Sequence, residues 1–279
     1  MKIAIVGSQG MLGQELARVY QKEMPLLLSR RDLDITDENT VRMWIEKNQP
    51  DIVFNAAAYN DVDGAEQDEA RAMAINAEGP GYLSAALARS GGILVHYSTE
   101  YVFKGDRQRG YTEDAKPDPQ SVYGRSKYRG EQAVLHNSSK SYVIRLSRLF
   151  GKAGAGDSGK KSFVEKVLER AQSQQVVQVV DEEVSSPTYA PDLAAQSKYV
   201  LDHGLAFGIY HVTNTGSCSW YEFAQEIFRL ANIHVTLEAV PGSTFPRPAA
   251  RPQCAVLQNT KLPPLRTWQS ALAAFIRQS

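Results

Sequence analysis

The sequence predicts an α/β protein: a doubly wound, parallel Rossmann-type sheet with a smaller C-terminal substrate-binding lobe. Three observations lead there. Short apolar runs rich in β-branched residues alternate with stretches of helical period, the first run opens into a glycine-rich turn, and after about residue 149 the alternation loosens. In chain order, "KIAIV", "PLLL", "DIVFNA", "ILVHYS", "YVIRLS" and "GIYHVT" have the composition of buried strands. Helical patterns lie between them at about 11–22, 38–48, 70–90, 122–137, 161–174 and 190–202. Right-handed crossovers make such a chain doubly wound. The expected cofactor domain is 1–148, with about 187–214 returning to it. Residues 149–186 and 215–279, which contain "GKAGAGDSG" and "VPGSTFPRPAARPQ", form the expected lobe over the crevice at the strand ends.

Composition narrows the class. A length of 279 residues suits one large unit or two unequal domains. The 31 basic residues cancel the 31 acidic ones, leaving no electrostatic footprint for nucleic acid or an anionic membrane. No apolar run approaches the ~18 residues that span a bilayer, and "MKIAIVG" turns to glycine too early for a secretory signal, so a cytoplasmic protein is expected. Cys218 and Cys254 lie far apart and the five histidines are scattered, so neither a disulfide framework nor a metal site is expected. A homodimer is compatible with the sequence, which says nothing further of oligomeric state.

The first strand runs into "GSQGMLG", with Gly7, Gly10 and Gly13 spaced G-x-x-G-x-x-G before an amphipathic helix. Such glycines serve a tight turn, close approach of backbone to a pyrophosphate, and helix-on-strand packing, while the helix N-terminus faces the phosphates. A dinucleotide is the expected cofactor. The second strand ends "LLLSRRDLDIT". Ser29, Arg30 and Arg31 there suit a 2'-phosphate and favour NADP(H). NAD(H) is the alternative, with Asp32 accepting from a free ribose hydroxyl. "GAGDSGK", Gly154 to Lys160, imitates a phosphate loop, but Lys161 stands where a magnesium-binding hydroxyl belongs, so a nucleoside triphosphatase is not expected.

The strand "HYSTEYVF" ends in Ser98 and Thr99, and "YGRSK" places Tyr123 and Lys127 four positions apart on the next helix. A strand-end hydroxyl can hold a carbonyl oxygen while a tyrosine protonates it as hydride arrives. A lysine one helical turn away lies on the same face and is expected to favour the phenolate.

Together "GSQGMLG", "NAAAYNDVDGAE", "HYSTEYVF", "YGRSK" and "SPTYAPDLA" resemble the extended short-chain dehydrogenase/reductase superfamily, and within it the dTDP-4-dehydrorhamnose reductases, over nearly the whole chain. The resemblance implies reduction of the C4 ketone of a dTDP-6-deoxy-4-hexulose by NADPH or NADH. It implies Thr99, Tyr123 and Lys127 as the catalytic set, with Lys127 also on the nicotinamide ribose. Gly7, Gly10, Met11 and Leu12 would line the pyrophosphate, Asp34 and Ile35 the adenine, and Ala56, Ala57 and Ala58 the ribose side. Three positions depart from the family pattern: Glu100 replaces an aspartate, "RLSR" puts Arg148 where "RTSW" has an aromatic ring, and "ARPQCA" has Ala255 where "RRPxxS" ends in serine. Tyr101, Phe103, Arg148, Trp220 and Arg251 are candidate contacts to the nucleotide-sugar, because rings and guanidinium groups suit a base, a sugar and a diphosphate. Trp220 also begins a helical pattern, "SWYEFAQEIF", that fits a core anchor. Two other readings fit the same residues. A dehydratase or epimerase of the same superfamily would follow the threonine with an Asp-Glu pair, whereas this chain has Glu100 and Tyr101. A regulatory subunit would bind cofactor without turnover.

Overall fold

The computed structural model describes residues 1–155 and 159–278. Its strands are β1 (Ile3–Val6), β2 (Leu26–Leu28), β3 (Ile52–Asn55), β4 (Ile93–Thr99), β5 (Ser141–Leu146), β6 (Leu149–Phe150), β7 (Val176–Val180), β8 (Val184–Ser185), β9 (Thr188–Tyr189), β10 (Gly208–His211), β11 (Cys218–Ser219) and β12 (Thr236–Val240). Its helices are α1 (Met11–Val19), α2 (Glu38–Asn48), α3 (Val62–Gln67), α4 (Glu69–Met73), α5 (Gly79–Ser90), α6 (Val122–Asn137), α7 (Phe163–Ser173), α8 (Ala190–Asp202), α9 (Trp220–Ala231) and α10 (Trp268–Ile276).

All six runs expected as strands pair in one parallel sheet of order β2-β1-β3-β4-β5-β10. Strands that are apolar along their length must be covered on both faces. Leu12 and Leu16 of α1 and Leu193 and Ala194 of α8 cover one side with Ile3, Ile5, Phe54 and Tyr97. Val41 and Ile45 of α2, Leu83 and Leu87 of α5 and Val134 of α6 cover the other with Val6, Val53 and Val143. The chain goes from β1 out to β2 and returns to β3, so β1 and β3 flank the switch point where ligands of such sheets bind.

The helix expected over 70–90 is broken. Between α4 and α5, residues Ala74–Glu78 form a π-helical turn. There Asn76 turns its amide onto the loop after β3, with Oδ1 accepting from the Tyr59 amide at 2.8 Å and Nδ2 donating to the Tyr59 carbonyl at 3.0 Å. Tertiary hydrogen bonds here override helical regularity.

The second core gathers Phe150, Val164, Val167, Val177, Phe223, Ile227, Trp268 and Leu272 from α7, α9, α10 and neighbouring strands. Its α9 is fixed at the start by a capping box between Ser219 and Glu222. The β7–β12 pair is parallel. Among the described residues, no helix is long and apolar enough to cross a membrane.

Beneath α6 lies a buried ion pair. Arg145 on β5 donates from Nε to Glu131 Oε1 at 2.8 Å and from Nη2 to Oε2 at 2.6 Å, and both side chains are 1% exposed. Removing one member strands the other charge without water, which costs ~3–5 kcal/mol. Glu131→Leu is therefore expected to lower the unfolding free energy by roughly that amount in chemical denaturation. A loss below ~1 kcal/mol would contradict a buried, mutually dependent pair.

Candidate active site

Gly7 ends β1 with φ +74°, a conformation that strains any residue with a side chain, and a Cβ there would fall 2.6 Å from the Ala57 nitrogen. A Cβ on Gly13 would fall 2.2 Å from the Gly7 carbonyl oxygen. The turn is thus packed backbone to backbone, and α1 starts at Gly10 without a side-chain cap, leaving its first N–H groups for an anion. Residues present here fit a dinucleotide pyrophosphate. The side chain of Met11 is half-buried at the mouth of this turn, whereas Leu12 points into the core, so only its backbone is available to a phosphate. Ala155 N donates to the Gln9 carbonyl at 2.8 Å, which brings the segment after β6 onto the glycine turn. Part of the phosphate-loop mimic, residues 156–158, lies outside the described residues.

Beyond β2, Ser29 donates from its nitrogen and hydroxyl to Asp32 at 2.8 and 2.5 Å, which holds that carboxyl below its ordinary range. Arg30 lies 3.4 Å from Asp34, whose other oxygen accepts from the Thr36 hydroxyl at 2.7 Å. Arg30 and Arg31 are exposed there. Asp34 is shaping this turn, and Ile35 is buried against Gly79. Across the switch point, Ala56, Ala57 and Ala58 follow β3 half-buried, and Asn55 Oδ1 anchors the Ala57 nitrogen at 3.2 Å.

Thr99, at the end of β4, and Tyr123, in the first turn of α6, are neighbours, and the Thr99 hydroxyl acts on the phenol. Two features bring them together. Ser121 caps α6 by accepting from the Gly124 nitrogen at 3.1 Å. A Cβ on Gly124 would meet the Tyr101 carbonyl oxygen at 2.3 Å, so only glycine lets the helix come this close. Ser98, on the opposite face of β4, has a buried hydroxyl without a hydrogen-bond partner among the described residues. Thr99 is thus the hydroxyl on the tyrosine.

Lys127 does project to the same buried region, but it does not act on the phenol as expected. Its Nζ donates to the Tyr97 carbonyl at 2.5 Å. Tyr123 is 8% exposed, and burial, followed by the Glu100 carboxyl where that is ionised, pushes its phenol well above the ordinary tyrosine range, while the Thr99 hydroxyl pulls the other way. Burial pushes the Lys127 ammonium down to about 8, with Glu131 opposing.

Of the expected sugar contacts, Tyr101 and Arg251 join Tyr123. Tyr101 meets it edge to face at 5.4 Å, and the Arg251 guanidinium sits 5.9 Å over the Tyr101 ring while pairing with Asp63 at 2.7 Å. Arg148 and Trp220 form a second cluster. Arg148, at φ +42°, lays its guanidinium 3.9 Å from the Trp220 ring centre and donates to the carbonyls of Cys218 and Glu183. Trp220 has Phe163 against it at 4.5 Å and donates to Glu183 at 3.1 Å, so it anchors the lobe wall and has little free ring face. Phe103 does not belong to the site: it is 0% exposed and stacked on Tyr111 at 4.3 Å, because the turn after Thr99 reverses it into a separate core. Glu100, Ser147 and the Tyr97 carbonyl take part without having been expected as site groups. Only Glu100 had a signal, as a departure from the family pattern.

A doubly wound sheet with threonine, tyrosine and lysine gathered at its carboxyl edge beside a glycine turn defines a short-chain dehydrogenase/reductase. The chain belongs to the RmlD substrate binding domain family, whose model matches residues 1–279. It is 42% identical to the "Probable dTDP-4,6-dihydroxy-2-methyloxan-3-one 4-ketoreductase" of Streptomyces antibioticus, over 98% of this chain and 93% of that one. It is 37% identical to the dTDP-4-dehydrorhamnose reductase of Streptomyces griseus, over 96% and 90%. The crystal structure of dTDP-4-dehydrorhamnose reductase from Bacillus anthracis in complex with NADP superimposes with a TM-score of 0.94 at 35% identity, covering 100% of both chains.

The lysine yields a pH prediction. Folding depresses Lys127 from 10.5 to about 8, so between those values the unfolded chain binds more protons and stability rises with pH. Against Lys127→Met, wild type is expected to gain up to roughly 3 kcal/mol in unfolding free energy from pH 8 to 10.5, at 1.36 kcal/mol per unit. A difference independent of pH would show that the amine is not desolvated.

Proposed function

We propose that this protein reduces the C4 ketone of a nucleotide-linked 4-keto-6-deoxy sugar with NADPH, converting dTDP-4-dehydrorhamnose to dTDP-L-rhamnose. The observation that carries the reading is the Thr99 hydroxyl set beside the buried Tyr123 phenol at the end of β4, across the switch point from the glycine turn. The names of the relatives support it, since each describes reduction at a sugar-nucleotide ketone or a reductase of that kind. When bound, the reduced nicotinamide supplies a hydride.

The chain's own residues do the rest. Gly7, Gly10 and Gly13, with the uncapped start of α1, hold the pyrophosphate, with Met11 and the Leu12 backbone beside it. Arg30 and Arg31, with Ser29, take the 2'-phosphate, so NADP(H) is preferred and NAD(H) is the weaker cofactor. Asp34 and Ile35 border the adenine, and Ala56–Ala58 line the ribose side. Thr99 holds the ketone oxygen and Tyr123 gives it a proton. A phenol with a raised pKa keeps its proton until charge develops on that oxygen, which suits a donor in the reductive direction. Lys127 holds the nicotinamide ribose. Tyr101, Arg148 and Arg251 border the sugar and diphosphate. One carboxylate, Glu100, stands where paired acid and base groups would serve an elimination, which favours reduction.

Tyr123→Phe is expected to keep NADPH affinity, read by fluorescence titration, and to lower kcat for ketone reduction by ~10²–10⁴-fold. Turnover equal to wild type would remove Tyr123 as the proton donor.

A further inference from the structure

Resting on the reductase reading, one question is how Tyr123 regains its proton. Its ring is almost closed off from water, and its hydroxyl has Thr99 as a neighbour. Thr99 is in turn joined to Glu100, Oγ1 to Oε2 at 2.7 Å. The other carboxyl oxygen accepts from the Ser147 hydroxyl at 3.0 Å. Glu100 is 6% exposed. The groups around it are Thr99 from β4, the Tyr101 phenol from its own turn, the Tyr123 phenol from α6, and Ser147 and Arg148 following β5. Arg148 is the cation among them, and its hydrogen bonds go to the Cys218 and Glu183 carbonyls and its face to Trp220. Lys127 donates to Tyr97. Burial raises the Glu100 carboxyl, outweighing the Thr99 and Ser147 hydroxyls, its own backbone N–H and the Arg148 charge, which all pull it down, and none of its hydrogen bonds comes from a cation.

We propose that Glu100 stores a proton and refills Tyr123 through the Thr99 hydroxyl after each reduction. As hydride reaches the ketone carbon, the C–O π pair moves to oxygen, which takes the Tyr123 proton. The phenolate then takes the Thr99 proton and Thr99 takes the Glu100 proton, leaving a neutral tyrosine, a neutral threonine and one carboxylate. The carboxylate regains a proton from solvent before the next turnover. Glu100 is a positioning residue that acts through Thr99. Its side chain, one methylene longer than the family's aspartate, spans both Thr99 and Ser147.

Glu100→Gln keeps the size and can still bond Thr99, but has no carboxyl proton to pass on. It is expected to lower kcat by ~10²-fold, enlarge the solvent deuterium effect on kcat, and leave NADPH affinity unchanged. Wild-type kcat should decline as pH rises through the Glu100 titration; Gln should remove that limb and Glu100→Asp should restore part of it. An equal loss at every pH, with an unaltered solvent isotope effect, makes Glu100 merely structural and overturns the proposal. An infrared difference spectrum between wild type and Glu100→Gln reads the proton without turnover. A protonated-carboxyl band at pH 7 is expected, and its absence overturns the store even in an active enzyme. A band present in a wild type inert towards all nucleotide-linked 4-keto sugars rejects the reductase reading, and the relay falls with it.

Discussion

A carboxylate and a guanidinium paired through two hydrogen bonds, the guanidinium also reaching the Glu113 carbonyl and His211, hold α6 in register. Glu131 lies one turn beyond Lys127 on the helix, and Arg145 reaches it from β5 with two parallel hydrogen bonds in a region closed to water. Neither can let go without exposing a charge to a medium that does not solvate it, so the helix cannot slide along the sheet at low cost. Two glycines on α6 sharpen the constraint: Gly130 sits where a Cβ would be 2.1 Å from the Asn76 carbonyl oxygen, and Gly124 is against the Tyr101 carbonyl. Tyr123 and Lys127 ride on that helix. Catalytic geometry tolerates errors of only a fraction of an ångström, and here it is inherited from packing beneath the site.

Burial that fixes these groups also sets their charge states, and it does so against the simple picture of a lysine acidifying a tyrosine. The ammonium is turned to the Tyr97 carbonyl and loses affinity for its proton, while the phenol gains affinity for its own. For a reductase the phenol's direction is useful. A proton donor, the role proposed for Tyr123, should be protonated when the ketone arrives. The hydroxyls of Thr99 and Ser147, with the Glu100 carboxyl between them, make a buried polar cluster, where each hydrogen bond counts for more than it would in water.

Much of this was legible in the chain. The six strands of the sheet announced themselves because a parallel sheet buried on both faces demands continuous apolar runs, as in "KIAIV" and "ILVHYS". Gly7 and Gly13 could be read because backbone contact admits only glycine there. Tyr123 and Lys127 were legible as an i, i+4 pair, but the direction of Lys127 was not, since that depends on which carbonyl a strand 30 residues earlier presents. Phe103 misled for a similar reason: an aromatic residue near a strand end can enter the cleft or turn back, and stacking on Tyr111 decided it. The π-turn at Asn76 and the two-residue strands of the lobe depend on tertiary partners and leave almost no local pattern.

The central claim is that hydride and proton meet at one sugar carbonyl in the crevice between the glycine turn and Tyr123. The most direct measurement follows deuterium from stereospecifically labelled NADPD into a dTDP-linked 4-keto-6-deoxy sugar, with product analysed by NMR. The account predicts one deuterium at C4 when the label occupies one face of the nicotinamide, none when it occupies the other, and a single configuration at the new alcohol. Product without deuterium from either label, or deuterium at a carbon other than C4, would contradict it.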